Sequence, residues 1–259
     1  MAQGRVVLVT GGGKGVGRGI TASFLAAGDT VVICGREAPE VMPAVDGRSA
    51  RFIAADVRDA AARDALFGAI LDEHGRLDVL VNNAGGAPFV MADKASPRFH
   101  DAMIQLNLLA PLHLAQKANA IMQAQPNGGV IVFIGSVSAL RPSPGTAAYG
   151  AAKAAILNLV SSLAVEWAPK VRVVAVSPGL VRTEQSALHY GDEAGIARVA
   201  QTVPMQRLAE PSDIGEACLW VASPQASYLS GTNLTLHGGG ERPAFLAAAS
   251  VNANASTPH

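Results

Sequence analysis

GRVVLVTGGGKGVGRGI, residues 4–20, changes character half-way along. Its first half is a β-branched apolar run and reads as a strand, while its second half breaks into glycines and then resumes with helical periodicity. Thr10, Gly11, Gly15 and Gly17 are spaced T-G-x-x-x-G-x-G, slightly wider than the G-x-G-x-x-G of a dinucleotide-binding turn. The physics carries over: Gly11 allows a tight turn, Gly15 lets the backbone approach a pyrophosphate, and Gly17 lets the helix pack closely on the strand. An ordinary βα turn also uses glycine, so the stretch fixes strand, loop and helix before it fixes a ligand.

Working outward, apolar strands are predicted near Arg5–Thr10, Thr30–Cys34, Arg51–Ala54, Leu77–Val81, Val130–Ile134, Val171–Val176 and Asn233–Leu236. Helical stretches are predicted near Gly15–Ala27, Ala60–His74, Pro97–Gln123, Ala147–Trp167 and Pro211–Val221, with Gln185–Gln201 helical as well. Strands alternating with helices argue for α/β architecture, a doubly wound seven-stranded parallel sheet of the Rossmann type. A chain of 259 residues is of a size at which such folds form one domain, and no linker divides it. We expect that domain over residues 1–240 and a tail over 241–259, Ala/Ser/Asn-rich and loosely ordered, in which Phe245 and Leu246 can pack on a neighbour.

Composition narrows the function classes. Hydrophobic residues make up 49% of the chain but aromatics only 5%, so burial rests on Val, Leu, Ile and Ala, as in strands covered on both faces. Formal net charge is zero and the basic residues are scattered, which leaves no electrostatic footprint for nucleic acid or an anionic membrane. No uninterrupted apolar run reaches about 18 residues and the N-terminus lacks a signal-peptide pattern, so we expect a soluble, cytoplasmic protein. Cys34 and Cys218 read as buried thiols, and the six histidines have no metal-ligand spacing.

A second stretch, SVSALRPSPGTAAYGAAK from Ser136 to Lys153, carries the chemistry. Tyr149 and Lys153 are four residues apart, one turn along one helix face. A tyrosine hydroxyl, near pKa 10 when unperturbed, is a poor acid or base at neutrality, and an adjacent ammonium favours its ionised form. Ser136, thirteen residues before the tyrosine, can hold a substrate oxygen beside it, giving proton transfer without a metal. A tyrosine and lysine on one helix face are also a common surface pair, and Ser138 competes for the serine role. In QLNLLAP, Pro111 has no N–H to give the carbonyl of Asn107, so a kink is predicted there.

Taken together, the chain resembles the short-chain dehydrogenase/reductase family over Arg5 to Gly240. The likeness rests on Thr10–Gly17, on Asn82-Asn83-Ala84-Gly85, on Ser136 with Tyr149 and Lys153, and on Pro178-Gly179 followed by Thr183. It implies an enzyme that moves hydride between a nicotinamide cofactor and a ketone or secondary alcohol, including a 3-oxoacyl thioester. A non-catalytic nucleotide-binding protein on the same fold is the alternative. By the same resemblance Tyr149 is the proton donor, Ser136 orients the oxygen, Lys153 lowers the tyrosine pKa and holds the nicotinamide ribose, and Asn107 holds a water beside the lysine.

The resemblance also assigns cofactor contacts to Gly11, Gly13, Lys14, Gly15, Val16 and Gly17, and to Arg36. Asp56 and Val57 are assigned to the adenine, with an Asp56 that merely caps the next helix as the alternative. Asn83, Ala84 and Gly85 shape the floor, and Pro178, Gly179, Val181 and Thr183 hold the carboxamide. Residues near 183–205 close over the substrate, and the assembly implied is a homotetramer, with a dimer possible. At the end of the second strand Gly35 brings no charge and Arg36 follows with a guanidinium suited to a 2′-phosphate, with Lys14 in reach. NADP(H) is therefore expected over NAD(H), although Glu37 aimed at the ribose would reverse this.

Overall fold

All five residues of β1 (Val6–Thr10) are buried, as an unbroken apolar strand between two helical layers must be. The computed structural model describes residues 4–248. After β1 come α1 (Gly15–Ala26), β2 (Thr30–Gly35), β3 (Ala44–Val45), β4 (Arg48–Ser49), β5 (Arg51–Ala54) and α2 (Ala60–His74). They are followed by β6 (Val79–Asn82), α3 (Pro97–Ile104), α4 (Ala110–Ala124), β7 (Gly129–Ile134), α5 (Ala147–Trp167) and β8 (Val171–Pro178). The chain continues through α6 (Ser186–Tyr190), α7 (Glu193–Thr202), α8 (Pro211–Val221), β9 (Asn233–Leu236) and α9 (Ala244–Ala248).

Seven strands form one parallel sheet in the order β5-β2-β1-β6-β7-β8-β9. Each lies where the sequence predicts a strand. The hairpin β3–β4 is an addition: its turn is Asp46-Gly47, both at positive φ, the strongest short hairpin signal, but its two-residue arms carry no alternating apolar pattern to announce it.

Pro97–Gln123, predicted as one kinked helix, is instead α3, a π turn over Gln105–Leu109, and α4. The amide of Ala110 reaches back to the Gln105 carbonyl, so one extra residue is accommodated just where Pro111 withholds its N–H. The helical stretch near Gln185–Gln201 is likewise two helices, broken at Gly191 and restarted by Asp192, whose carboxylate accepts the Gly195 N–H at 2.8 Å.

Two apolar cores sandwich the sheet. One packs α2, α4 and α5 on the face bearing Leu8, Val32, Leu80, Ile131 and Phe133. The other packs α1 and α8 on the face bearing Val7, Val9, Ile33, Val81 and Val132. By length and composition α5 could cross a bilayer, but its Ile156, Val160 and Leu163 are buried in the first core, so its most apolar face is already covered. Of the tail, Ala244–Ala248 is helical with Phe245 exposed, while the Leu246 side chain and residues 249–259 lie outside what is described.

The α1–α8 contact depends on small residues. A Cβ built on Gly19 would collide with the Pro211 backbone, and one built on Gly215 would lie 2.6 Å from the Gly19 carbonyl. Gly19→Ala should therefore force the two helices apart and lower stability by about 1–3 kcal/mol. Urea unfolding monitored by circular dichroism checks this: the midpoint should fall with an unchanged slope.

Candidate active site

The chain runs from β1 outward to β2 and β5, then crosses back to β6 on the other side of β1. The connections leaving β1 and β6 therefore diverge, opening a crevice beyond the strands' C-terminal ends, where open α/β sheets bind ligands. A hydrogen-bonded staple joins those two ends. The buried Thr10 hydroxyl accepts the N–H groups of Asn83 at 3.0 Å and Ala84 at 2.9 Å. The Asn83 amide returns by donating to the carbonyls of Thr10 at 2.9 Å and Gly11 at 3.2 Å. Gly11 turns at φ +64°, and a side chain on Gly17 would strike the Gly11 carbonyl, so both glycines are required where the sequence predicts.

The crevice is a cleft of about 590 Å³. Gly11, Gly13, Lys14, Gly15, Val16 and Gly17 form one wall, and Arg36, Asp56 and Val57 close one end. Asn83, Ala84 and Gly85 make the floor, with Tyr149, Lys153, Pro178 and Thr183 at the other end. Gly179 and Val181, between Pro178 and Thr183, are not among the residues that line it. Gly179 gives its N–H to the Leu236 carbonyl at 2.8 Å, and Val181 bridges to Ala209 and packs on the α1–α8 core. The bridge to Ala209 uses the Arg182 N–H and the Leu180 carbonyl, and does not take the N–H or carbonyl of Val181 itself.

Asp56 does not cap α2; Asp59 does, accepting the Ala62 N–H at 2.7 Å. Asp56 is paired with Arg58, Oδ2 to Nη2 2.6 Å, and this partner holds its carboxyl down at about 2. Arg58 and Glu37 both line the cleft, as do Pro39, Glu184 and Gln185. Arg58 was foreshadowed only by its two-residue spacing from Asp56. Glu184 sits beside Thr183 in sequence, but its contact, accepting the Gly15 N–H at 3.0 Å from 169 residues away, has no sequence signal.

At the inner end Lys153 is buried and donates from Nζ to the Ile134 carbonyl at 2.7 Å. Its Nζ lies 5.6 Å from the centroid of the Tyr149 ring. Burial pulls the ammonium down to about 8. The Tyr149 hydroxyl is itself pushed above its usual value by burial, and the Ser136 hydroxyl beside it acts the other way. Ser136 adjoins Tyr149, and its Oγ also accepts the backbone N–H of Ser138 at 3.1 Å.

Asn107, fully buried in the π turn, is locked by its side chain. Its Oδ1 accepts the Gly86 N–H at 2.9 Å and its Nδ2 donates to the carbonyls of Gly86 at 3.1 Å and Met103 at 3.0 Å. A Cβ on Gly85 would come within 2.7 Å of that Oδ1 and 3.6 Å of the Lys153 Nζ, so both groups converge behind the floor.

A family model described as "Enoyl-(Acyl carrier protein) reductase" matches residues 11–241. The chain is 34% identical over 244 residues to 3beta-hydroxysteroid dehydrogenase 1 of Eggerthella lenta, covering 92% of this chain and 94% of the relative. It is 32% identical over 252 residues to oxidoreductase UcpA of Escherichia coli, covering 93% and 95%. Among solved structures, ligand-free aldohexose dehydrogenase of Thermoplasma acidophilum superposes with a TM-score of 0.85 at 29% identity, over 99% of this chain and 98% of that one. The chain belongs to the short-chain dehydrogenase/reductase family. It is accordingly an oxidoreductase acting on CH–OH or carbonyl groups, with an NAD(P) cofactor.

The residues present fit the dinucleotide that the short-chain dehydrogenase/reductase family uses. The Gly-rich turn from Gly11 to Gly17 lines the cleft, and the amide at the head of α1 already draws an anion, the Glu184 carboxylate. The cradle's shape depends on the Thr10 staple. Thr10→Val keeps the volume but strands two backbone N–H groups at a buried site, at about 1–3 kcal/mol each. Urea denaturation should show a loss of that order, with cofactor binding weakened in the folded protein.

Proposed function

We propose that this protein is an NADP(H)-dependent oxidoreductase acting on a ketone or secondary alcohol, with a 3-oxoacyl thioester within that class. One observation carries the reading: Tyr149, with Ser136 beside it, and Lys153 line the same cleft as the Gly-rich turn and Arg36. When bound, the nicotinamide cofactor supplies or accepts the hydride. Tyr149 gives its hydroxyl proton to the carbonyl oxygen as charge develops there, and Ser136 orients that oxygen by a hydrogen bond. Lys153 holds the nicotinamide ribose. The locked Asn107, behind Gly85, holds a water that relays protons between lysine and solvent. Thr183 contacts the carboxamide from the rim.

The names of two relatives, 3beta-hydroxysteroid dehydrogenase 1 and 3alpha-hydroxysteroid dehydrogenase, support a secondary alcohol on a bulky apolar skeleton as the first substrates to try. Exposed apolar Val165, Trp220 and Tyr228 support assembly as a homotetramer through helix faces and the β9 edge. Two cysteines kept as buried thiols suit a reducing, cytoplasmic compartment.

Tyr149→Phe should lower turnover by about 10²- to 10⁴-fold while leaving the NADPH dissociation constant nearly unchanged; retention of a tenth of the activity would refute the role. Ser136→Ala removes the group that holds the tyrosine value down, so the alcohol-oxidation limb that rises as Tyr149 ionises should move to higher pH. A pH–rate profile of kcat/KM in each protein measures both effects.

Lys14 and Arg36 flank the adenosine end of the cleft, and Asp56 there is already neutralised by Arg58. Charge-assisted hydrogen bonds contribute about 1.5–3 kcal/mol each, so one or two to a 2′-phosphate imply a roughly ten- to several-hundred-fold preference for NADPH over NADH. Arg36→Asp should move the ratio of kcat/KM values toward NADH. A wild-type enzyme that works better with NADH would mean that Glu37, not Arg36, faces the ribose.

A further inference from the structure

The head of α1 carries no side-chain cap of its own and no acidic residue in its first turn. Its cap is borrowed. Glu184, from the segment that follows β8, accepts the Gly15 N–H at 3.0 Å, while the Thr183 methyl group lies 3.4 Å from where a Cβ on Gly15 would sit. That amide, at a helix N-terminus inside the Gly-rich turn, is where a dinucleotide pyrophosphate binds. A carboxylate and a pyrophosphate cannot share it, because both are anions and the amide has one hydrogen to give.

We propose that Glu184 is an internal competitor for the pyrophosphate, occupying its place in the cofactor-free protein and setting how tightly the cleft takes a dinucleotide. The proposal rests on the cofactor reading above. The structure also offers the displaced carboxylate a destination: Glu184 lies in the wall between the cofactor cleft and a neighbouring cavity of about 420 Å³. Arg182 lines that cavity, its guanidinium bonded to Glu193 at 2.9 Å and half-exposed. In this proposal Glu184 exchanges the Gly15 amide for Arg182 when a pyrophosphate takes that amide. Apparent affinity is the intrinsic affinity scaled by the fraction of molecules whose site is open, so removing the competitor raises it.

The test is titration of nicotinamide fluorescence with NADPH and NADH, which reads binding without turnover. Glu184→Gln and Glu184→Ala should both tighten the two cofactors by about two- to tenfold, the range expected for one exposed anion at a helix N-terminus plus relief of its repulsion. Adenosine 2′-monophosphate has no 5′-phosphate to meet Glu184, so it should displace NADPH with the same inhibition constant from wild type and variants. Arg182→Gln should weaken NADPH binding in the wild-type background and have no effect when Glu184 is already Gln. Unchanged or weaker cofactor binding in both Glu184 variants overturns the proposal, as does equal tightening of adenosine 2′-monophosphate. Failure of the wild-type protein to bind either cofactor would instead overturn the nucleotide reading on which it stands.

Discussion

The reversal of strand order at β1 is the constraint on which the rest of the molecule depends. Because β1 pairs in parallel with both β2 and β6, the chain must leave its C-terminal end toward one side and later return on the other. No backbone then covers the gap between the two exits, and the gap becomes the cleft. The ends of β1 and β6 would part there if nothing tied them, and the sheet's own ladder stops short of the loops. Thr10 and Asn83 supply the tie with four hydrogen bonds, all in the first residues beyond or at the strand ends. Glycines at 11 and 17 are consequences of the same closeness, since the staple draws the turn in until no Cβ fits.

The second dependence is electrostatic. Lys153 is held in the wall with a carbonyl as its observed acceptor, and burial costs the ammonium enough to bring it down to about 8. Tyr149 suffers the same penalty in the opposite sense, since burial disfavours a phenolate and favours the neutral hydroxyl. Burial therefore favours a neutral tyrosine beside a lysine that loses its charge easily. A buried proton donor is what a carbonyl reduction needs, and a buried lysine near its titration point is a group whose charge responds to what binds beside it.

Much of this was legible in the sequence because it is local. Tyr149 and Lys153 share a helix face by spacing alone, and the Gly-rich turn sits between an apolar run and a helical period. Pro111 marked a defect in the long helix, yet whether a helix kinks or widens into a π turn is decided by the tertiary bonds of Asn107 to Gly86, which no local pattern contains. Long-range contacts were invisible for the same reason: Glu184 on Gly15 and Pro39 against Gly13 join segments that only the fold brings together. The Gly179 amide goes to the Leu236 carbonyl of β9, a pairing of which the Pro-Gly motif says nothing.

Substrate identity escaped the sequence for a different physical reason. The cofactor half of the cleft is made from strand ends, fixed by a buried sheet and therefore by strongly patterned residues. The neighbouring cavity is lined from α6 and α7, which hold themselves by local bonds: Ser186 accepts the Thr183 N–H at 2.9 Å, Asp192 caps α7, and Arg182 pairs with Glu193 at the surface. Exposed pairs of that kind contribute little, and Leu188 at 82% and Met205 at 62% exposure are apolar side chains with little packed against them. A wall with few buried contacts is drawn from the low-stability end of the structure. Neither local propensity nor core patterning constrains such residues, so they leave little pattern in the sequence to read.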